Sequence, residues 1–342
     1  MSLRDEILEQ PEAARRQLRS SARAIEELAA RFRAKPVSSV VIAARGTSDH
    51  AAIYAQYVLG VRNRLSVGLA TPSVVSLYGA EPDVRDSLVI GISQSGASPD
   101  IVSVLEAARR QGAPTLAITN APDSPLASTA DHVIDLAAGP ELAVAATKTY
   151  TTSLLAIARL SAALSGGSTA ELDQVPDVIA AALEVEPGVE ALAQELVTRD
   201  RCIVVGRGFE YATAREWALK LKELAQVFAD PYSAADFLHG PIALVQPGIP
   251  VLVLAPAGVA MTGQVQLLRD LATRDIDTLV VSDVAETRAL GRWPVAIPAS
   301  VPEWLRPMVS IVPAQLLAYH LTRARGLDPN APRNLSKVTR TV

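Results

Sequence analysis

The sequence predicts an α/β protein made of two doubly wound parallel sheets in tandem. Three observations carry that expectation. Short runs rich in valine and isoleucine alternate with helical patterns of about a dozen residues or more. The runs are apolar throughout rather than alternating, as strands are when helices cover both faces of a parallel sheet. And the pattern is stated twice along the chain, which implies a pseudo-duplicate.

Taken in order, residues 1–34 begin "MSLRDEILEQPEAARRQ", charged, helix-like and without a signal-peptide core. The first domain is expected over 35–165, with strands in "VSSVVIAARG", "DSLVIGISQSG", "APTLAITN" and "DHVIDLAAG". Small residues and threonines in "AVAATKTYTTS" (143–153) then lead into a helix. Residues 166–194 read as a polar turn and one amphipathic connecting helix. The second domain, 195–330, carries "DRCIVVGRG", "IPVLVLAPAG", "IDTLVVSDV" and "RWPVAIP". Here "CIVVGRGFEYATAREWALKL" lines up with "VVIAARGTSDHAAIYAQYVL", each a strand, an Arg-Gly turn and a helix. Likewise "VLVLAPAGVAMTGQ" lines up with "LVIGISQSGASPD", so Pro256, Ala257 and Gly258 fall near Ser93 to Ser95 and the hydroxyls are lost. The tail, 331–342, is short and polar.

Bulk properties narrow the function classes. With 342 residues, 49% of them hydrophobic, the chain can bury the cores of two domains. A net charge of −4 offers no basic footprint, which argues against nucleic acid or an anionic membrane as the main partner. No apolar run reaches the roughly 18 residues of a membrane span. A cytoplasmic protein is expected. The single cysteine, Cys202, excludes an internal disulfide and any multi-thiolate metal site.

Chemistry concentrates in a few stretches. In an open parallel sheet, ligands sit beyond the carboxyl ends of the strands, where "SQSGASPD" (93–100) lies. A helix starting there presents unpaired N–H groups and a partial positive charge. Ser93, Gln94, Ser95 and Ser98 add side-chain donors, and Gly96 allows close backbone approach, so the turn suits a phosphate held by dipoles alone. A simple helix cap is the plainer alternative. Gly91-Ile92-Ser93-Gln94-Ser95 does not match a nucleophile elbow, and "GRGFEYA" (206–212) lacks the third glycine of a dinucleotide fingerprint.

A second cluster is "REWALKLKELAQ", which sets Glu216, Lys220 and Glu223 at i, i+4 and i+7, one stripe of a helix. Such a stripe is commonly a solvated salt-bridge face, yet Trp217, Leu219, Leu221 and Leu224 leave little room for one. A glutamate beside a lysine in a closed site suits proton transfer at carbon. His239 precedes a Gly240-Pro241 turn, and Lys337 sits in the tail; a surface loop and a frayed end are the ordinary readings of each.

These motifs, "ARGTS", "SQSG", "AVAATKTYTTS", "GRG", "EWALKLKE", "FLHGPIALV" and "PRNLSKV", stand in order across nearly the whole chain. Together they resemble the sugar-isomerase (SIS) proteins, specifically the isomerase half of glucosamine-6-phosphate synthase. Within that group the resemblance is greatest to the stand-alone type II glucosamine-6-phosphate deaminases. It implies two flavodoxin-like SIS domains, a homodimer and no cofactor. By similarity, Ser93, Gln94, Ser95 and Ser98 hold the sugar phosphate, while Gly46, Thr47, Ser48 and Val144, Ala145 and Ala146 line the sugar. Glu223 matches the base that moves a proton between C1 and C2, with Glu216 and Lys220 as its neighbours. His239 matches the ring-opening histidine, which reaches the partner subunit's site, and Lys337 the tail lysine that forms a Schiff base in the synthase.

The implied reaction converts glucosamine 6-phosphate and water to fructose 6-phosphate and ammonia. Galactosamine 6-phosphate, a fructosamine-type phosphate, ammonia-dependent synthesis and non-catalytic phosphosugar binding stay open. Departures from the synthase are Arg45 where cysteine is common, Leu238 where lysine is common, and the ending after Lys337. Ser2 and a strand-bound Cys202 supply no thiolate for glutamine hydrolysis, so a complete glutamine-dependent synthase is not expected.

Overall fold

The computed structural model describes residues 2–337. Three helices come first: α1 (Leu3–Leu8), α2 (Gln10–Ser20) and α3 (Ala22–Ala34). A capping box starts α1, with the Asp5 N–H donating to Ser2 Oγ at 3.2 Å and the Ser2 N–H to the Asp5 carboxylate at 2.8 Å. The first alternating set runs β1 (Ser39–Ala43), α4 (Thr47–Asn63), β2 (Ser66–Leu69), α5 (Pro72–Ser76), β3 (Ser87–Ser93), α6 (Pro99–Arg110), β4 (Thr115–Thr119), α7 (Pro125–Thr129) and β5 (His132–Asp135), followed by α8 (Lys148–Leu164). Helices α9 (Ala170–Asp173), α10 (Val175–Ala182) and α11 (Glu186–Leu196) come next. The second set runs β6 (Arg201–Gly206), α12 (Glu210–Glu223), β7 (Phe228–Ser233), α13 (Ala234–Leu238), β8 (Val251–Leu254), α14 (Met261–Ala272), β9 (Thr278–Ser282), α15 (Ala285–Arg288) and β10 (Trp293–Ala296), and α16 (Pro307–Ala324) ends it.

Two five-stranded, all-parallel sheets result, in the orders β2-β1-β3-β4-β5 and β7-β6-β8-β9-β10. The orders are the same once the second set is renumbered, so the duplication read from the sequence is present in the topology. Two strands escape the sequence reading. β2 is short and half-exposed, and β7 contains Pro231, which an edge strand tolerates and a central one does not. The connecting segment also differs: instead of one helix, α10 and α11 are separated by a turn of 3-10 helix at Leu183–Val185, with Pro187 in the first turn of α11.

Pairing register fixes the correspondence of the two repeats. Val41 lies opposite Val89 and Ile203 opposite Val251. With Val41 and Ile203 equivalent, Ala255, Pro256 and Ala257 stand for Ser93, Gln94 and Ser95, and Gly258 stands for Gly96. The alignment by sequence was one residue out.

The described residues form two compact units. One takes residues 12–141 with Lys148–Asp173 and residues 336–337, and contains the first sheet. Its core packs Val89 and Ala117 against Ile101, Leu105 and Leu126. Helix α8 is buried along nearly its whole length, and its Thr152 and Ser153 hydroxyls donate back to the Lys148 and Thr149 carbonyls at 2.9 and 2.7 Å. These hydroxyls serve the burial of the helix itself. The other unit takes residues 2–11, Leu142–Thr147 and Gln174–Leu335, with Ile203, Val205, Val251 and Val253 packed on Leu267 and Leu271. Among the described residues, no helix is long and apolar enough to cross a membrane.

Candidate functional site

The serine-rich turn closes the carboxyl end of β3, a strand buried at every position. Ser93 Oγ accepts the Gly96 N–H at 3.1 Å, and Ser95 Oγ accepts the Ala97 N–H at 3.3 Å. Both oxygens are thus engaged as acceptors, and each hydroxyl keeps its O–H to donate. Ser98 occupies the N-cap position of α6 without making a side-chain cap bond. The plainer cap reading therefore fails at the residue where it applied. Among the described residues the Ser48, Gln94 and Ser98 side chains make no hydrogen bond, although each is half-buried.

Gly96 is dictated twice over. Its φ is +59°, and a Cβ there would lie 2.0 Å from Ser124 Oγ. The Gln94 carbonyl accepts the Asn120 N–H at 3.2 Å and the Gly96 carbonyl accepts the Leu126 N–H at 3.0 Å, so the turn is stitched to the segment after β4. Gly46 (φ +54°) starts α4, and Thr47 and Ser48 follow in its first turn. A cation does stand beside this region: Arg45 Nε donates to Asp100 Oδ2 at 2.9 Å, and Asp100 is fully buried at the start of α6. The arginine is offset by that carboxylate, so the turn itself stays neutral.

In the other unit, Gly206 ends β6. A Cβ there would meet the Glu210 carbonyl at 2.2 Å, so the entry to α12 requires glycine. Helix α12 buries Glu216 and Lys220 completely together with Trp217 and Leu221, which excludes the solvated-stripe alternative. Lys220 Nζ lies 2.6 Å from Glu223 Oε2 and 3.4 Å from Glu216 Oε1. Burial works against the lysine's charge, but the two carboxylates outweigh it and hold its pKa above the ordinary value. One ammonium between two carboxylates leaves an excess negative charge. Glu223 is the member of the triad with accessible surface (23%), and it ends α12, where the helix dipole is negative. The arrangement makes Glu223 the group able to accept a proton from outside.

Val144, Ala145 and Ala146 lie in an irregular segment, Leu142–Thr147, of the unit that carries α12. His239 follows α13 and is exposed; its backbone N–H donates to the Asp236 carbonyl at 3.1 Å, while its imidazole makes no hydrogen bond or ion pair among the described residues. Nothing in the structure joins it to the α12 triad. Lys337 is the last described residue, and its Nζ lies 2.9 Å from Glu141 Oε2. Glu141, fully buried at its side chain, also accepts the Thr149 N–H (3.1 Å) and Thr149 Oγ1–H (2.8 Å). The sequence reading missed Glu141; its one local signal is an acid after Gly139-Pro140, just ahead of the small-residue run. Among the described residues, no cluster of His, Cys, Asp or Glu could hold a metal ion.

Comparison with known proteins adds the following. The SIS domain family model matches residues 34–163 and 195–324. The glutamine–fructose-6-phosphate aminotransferase (isomerizing) of Thermococcus kodakarensis is 34% identical over 344 residues, covering 97% of this chain and 56% of that protein. That of Gloeobacter violaceus is 37% identical over 312 residues, 87% of this chain and 51% of that protein. The chain therefore spans about half the length of these curated relatives. Among solved structures, a Silicibacter pomeroyi protein described provisionally as a phosphosugar isomerase is 35% identical, with a TM-score of 0.86 over 96% of this chain and 99% of that one. Glucosamine-6-phosphate deaminase of Thermotoga maritima, 20% identical with a TM-score of 0.82 over the full length of both chains, shares the fold.

Proposed function

This chain belongs to the SIS-domain family, and from that premise we propose that it deaminates glucosamine 6-phosphate to fructose 6-phosphate and ammonia. The observation that carries the reading is the Glu216–Lys220–Glu223 triad. A module that only bound phosphosugars would not need a buried ammonium fixed beside a half-accessible carboxylate.

The phosphate docks on the turn at Ser93, Gln94, Ser95 and Ser98, with Gly46, Thr47, Ser48 and Val144–Ala146 lining the sugar. His239 assists ring opening. Glu223 then takes the proton from C2 of the open-chain aldehyde as the carbonyl oxygen is protonated, giving an enolamine. Returning that proton to C1 leaves C2 as an iminium, and addition of water there expels ammonia. Lys220 holds Glu223 in place without competing for the substrate proton, because its own proton is firmly bound. Lys337, held 2.9 Å from Glu141, serves the carbonyl end of the open chain.

The site is completed by a homodimer, in which His239 reaches the partner subunit. Supporting this, Phe228 (78% exposed), Leu238 (52%) and Leu244 (55%) place apolar surface on the segment that carries His239. A second reading is ammonia-dependent synthesis of glucosamine 6-phosphate, which reverses the same steps. The two relatives named above, both aminotransferases, favour weighing it.

The test is to incubate the protein with glucosamine 6-phosphate, galactosamine 6-phosphate or fructosamine-type phosphates and measure ammonia. In parallel, fructose 6-phosphate with ammonium is assayed for amino sugar. Turnover of glucosamine 6-phosphate that Glu223→Gln removes is the expected result. Equal ammonia from wild type and Glu223→Gln would refute it.

A further inference from the structure

We infer that Glu6 is a positioning residue, whose carboxylate holds Leu142–Thr147 in the shape that presents Val144–Ala146 to the sugar; the sugar half of this rests on the reading above. The segment has neither helix nor strand, yet Ala143, Ala145 and Thr147 are 4%, 2% and 1% exposed. Buried backbone without a ladder must find its hydrogen-bond partners elsewhere.

Glu6 supplies them. It lies on α1, is 0% exposed, and receives the N–H groups of both Leu142 and Ala143. The Ala143 N–H lies 3.2 Å from Oε1 and 3.3 Å from Oε2. An ionised acceptor makes stronger bonds to backbone N–H than a neutral one, and burial protects them from competing water. At the other end, Gln315 on α16 donates to the Thr147 carbonyl at 3.4 Å. Its Oε1 accepts from Gln10 Nε2 at 2.9 Å, and Gln10 Nε2 also reaches the Ile7 carbonyl at 3.0 Å.

Both ends of the segment are therefore tied to α1, its successor and α16, with Val144 and Ala146 left partly exposed between the ties. Glu6 lies outside the stretches matched by the SIS model and belongs to neither sheet. Its function is local: a buried carboxyl group that would be costly in the core without partners receives the amides of this loop and holds them.

The experiment pairs hydrogen exchange with ligand affinity in Glu6→Gln and Glu6→Asp. In Glu6→Gln, exchange at the amides of residues 142 and 143 should rise about tenfold or more, with the α12 and β8 amides unchanged. Affinity for glucosamine 6-phosphate should fall about tenfold, while affinity for inorganic phosphate, which needs only the 93–98 turn, stays within about twofold. Glu6→Asp, which keeps the charge one methylene short, should fall between. Where Glu6→Gln does not fold, Gln315→Met frees the other end of the loop and should give the same split. Unchanged exchange at 142–143 overturns the inference, as does equal loss of phosphate and phosphosugar, which marks a general structural defect. A wild type that binds phosphate but no phosphosugar sinks the proposed function instead, and the exchange result still decides whether Glu6 holds the loop.

Discussion

Replacing Glu210 with glutamine isolates one buried proton and asks how much stability it controls. Glu210 begins α12, is 4% exposed, and accepts from Ser310 Oγ at 2.8 Å. Burial is the largest influence and Glu303 adds to it, while Ser310, Thr213 and Arg306 oppose them; the pKa is raised from 4.5 to about 7. A carboxyl whose folded pKa lies above its unfolded value favours folding below the unfolded value. That stability is lost as pH rises through the folded one. At about 1.4 kcal/mol per unit, full ionisation costs the folded state about 3.4 kcal/mol, and about 2.5 kcal/mol of it falls between about pH 5 and pH 8.5. Glutamine keeps the shape and never ionises. Thermal unfolding of wild type and Glu210→Gln should therefore diverge as pH rises. The variant should gain about 5–10 °C over wild type across that interval, for a unit of this size. A gap that stays constant with pH, or that closes as pH rises, would refute the assignment of a buried neutral carboxyl.

Four further outcomes follow from the geometry. Lys220→Met leaves Glu216 buried beside an uncompensated neighbour and should cost about 3–5 kcal/mol by chemical denaturation, whereas Lys220→Met with Glu216→Gln should recover part of it. Gly96→Ala forces a methyl group onto Ser124 and an alanine into positive φ; isothermal titration should show loss of phosphosugar binding together with a fall in stability of about 1–3 kcal/mol. Cys202, 5% exposed and with its thiol pKa pushed up to about 12 by burial, should not react with a disulfide reagent in the native protein, and should react fully once denatured. Leu238→Glu places a charge on the apolar surface next to His239 and, on the proposed homodimer, should shift sedimentation toward the monomer, with turnover lost in the same proportion.

Much of this was legible because strands covered on both faces are buried at every residue and apolar through their middles. β3, β4, β8 and β9 could be read directly, and so could the duplication. The edge strands β2 and β7 could not, since one carries alternating exposure and the other Asp230-Pro231. Candidate site residues were legible where they cluster in sequence: Ser93 to Ser98, and Glu216 to Glu223 on one helical stripe. They were illegible where the chain returns from afar. Glu141 meets Lys337 across 196 positions, and Glu6 meets Leu142 across 136. No periodicity announces such pairs. Arg45 is an intermediate case, visible as a departure from the family pattern, but only its bond to Asp100 explains why the added charge does not disturb the neutral turn.

The two repeats show how one frame is divided between two tasks. The turn after β8 keeps the glycine of its counterpart but replaces Ser93, Gln94 and Ser95 by Ala255, Pro256 and Ala257. Two of its backbone amides are taken by the protein itself. The Ala257 N–H donates to Asp283 at 2.7 Å, and the Val259 N–H is shared by the two Glu303 oxygens at 3.1 and 3.2 Å. Asp283 is itself paired with the buried Arg306. Amides that would attract an anion are thus met by internal carboxylates, which removes the reason for hydroxyls there and for an external ligand. In the first repeat, among the described residues, the Ser93–Ser98 turn has no such carboxylate on its amides; Asp100 bonds the adjoining Ile101 N–H and Arg45 instead. Its serines keep hydroxyl groups free to donate. The second repeat, relieved of anion binding at β8, carries the charged triad on the helix after its first strand. On the function proposed above, the hydroxyls kept at one turn and the charged triad on a helix of the other repeat let a duplicated frame offer an anion cradle and a proton acceptor once each.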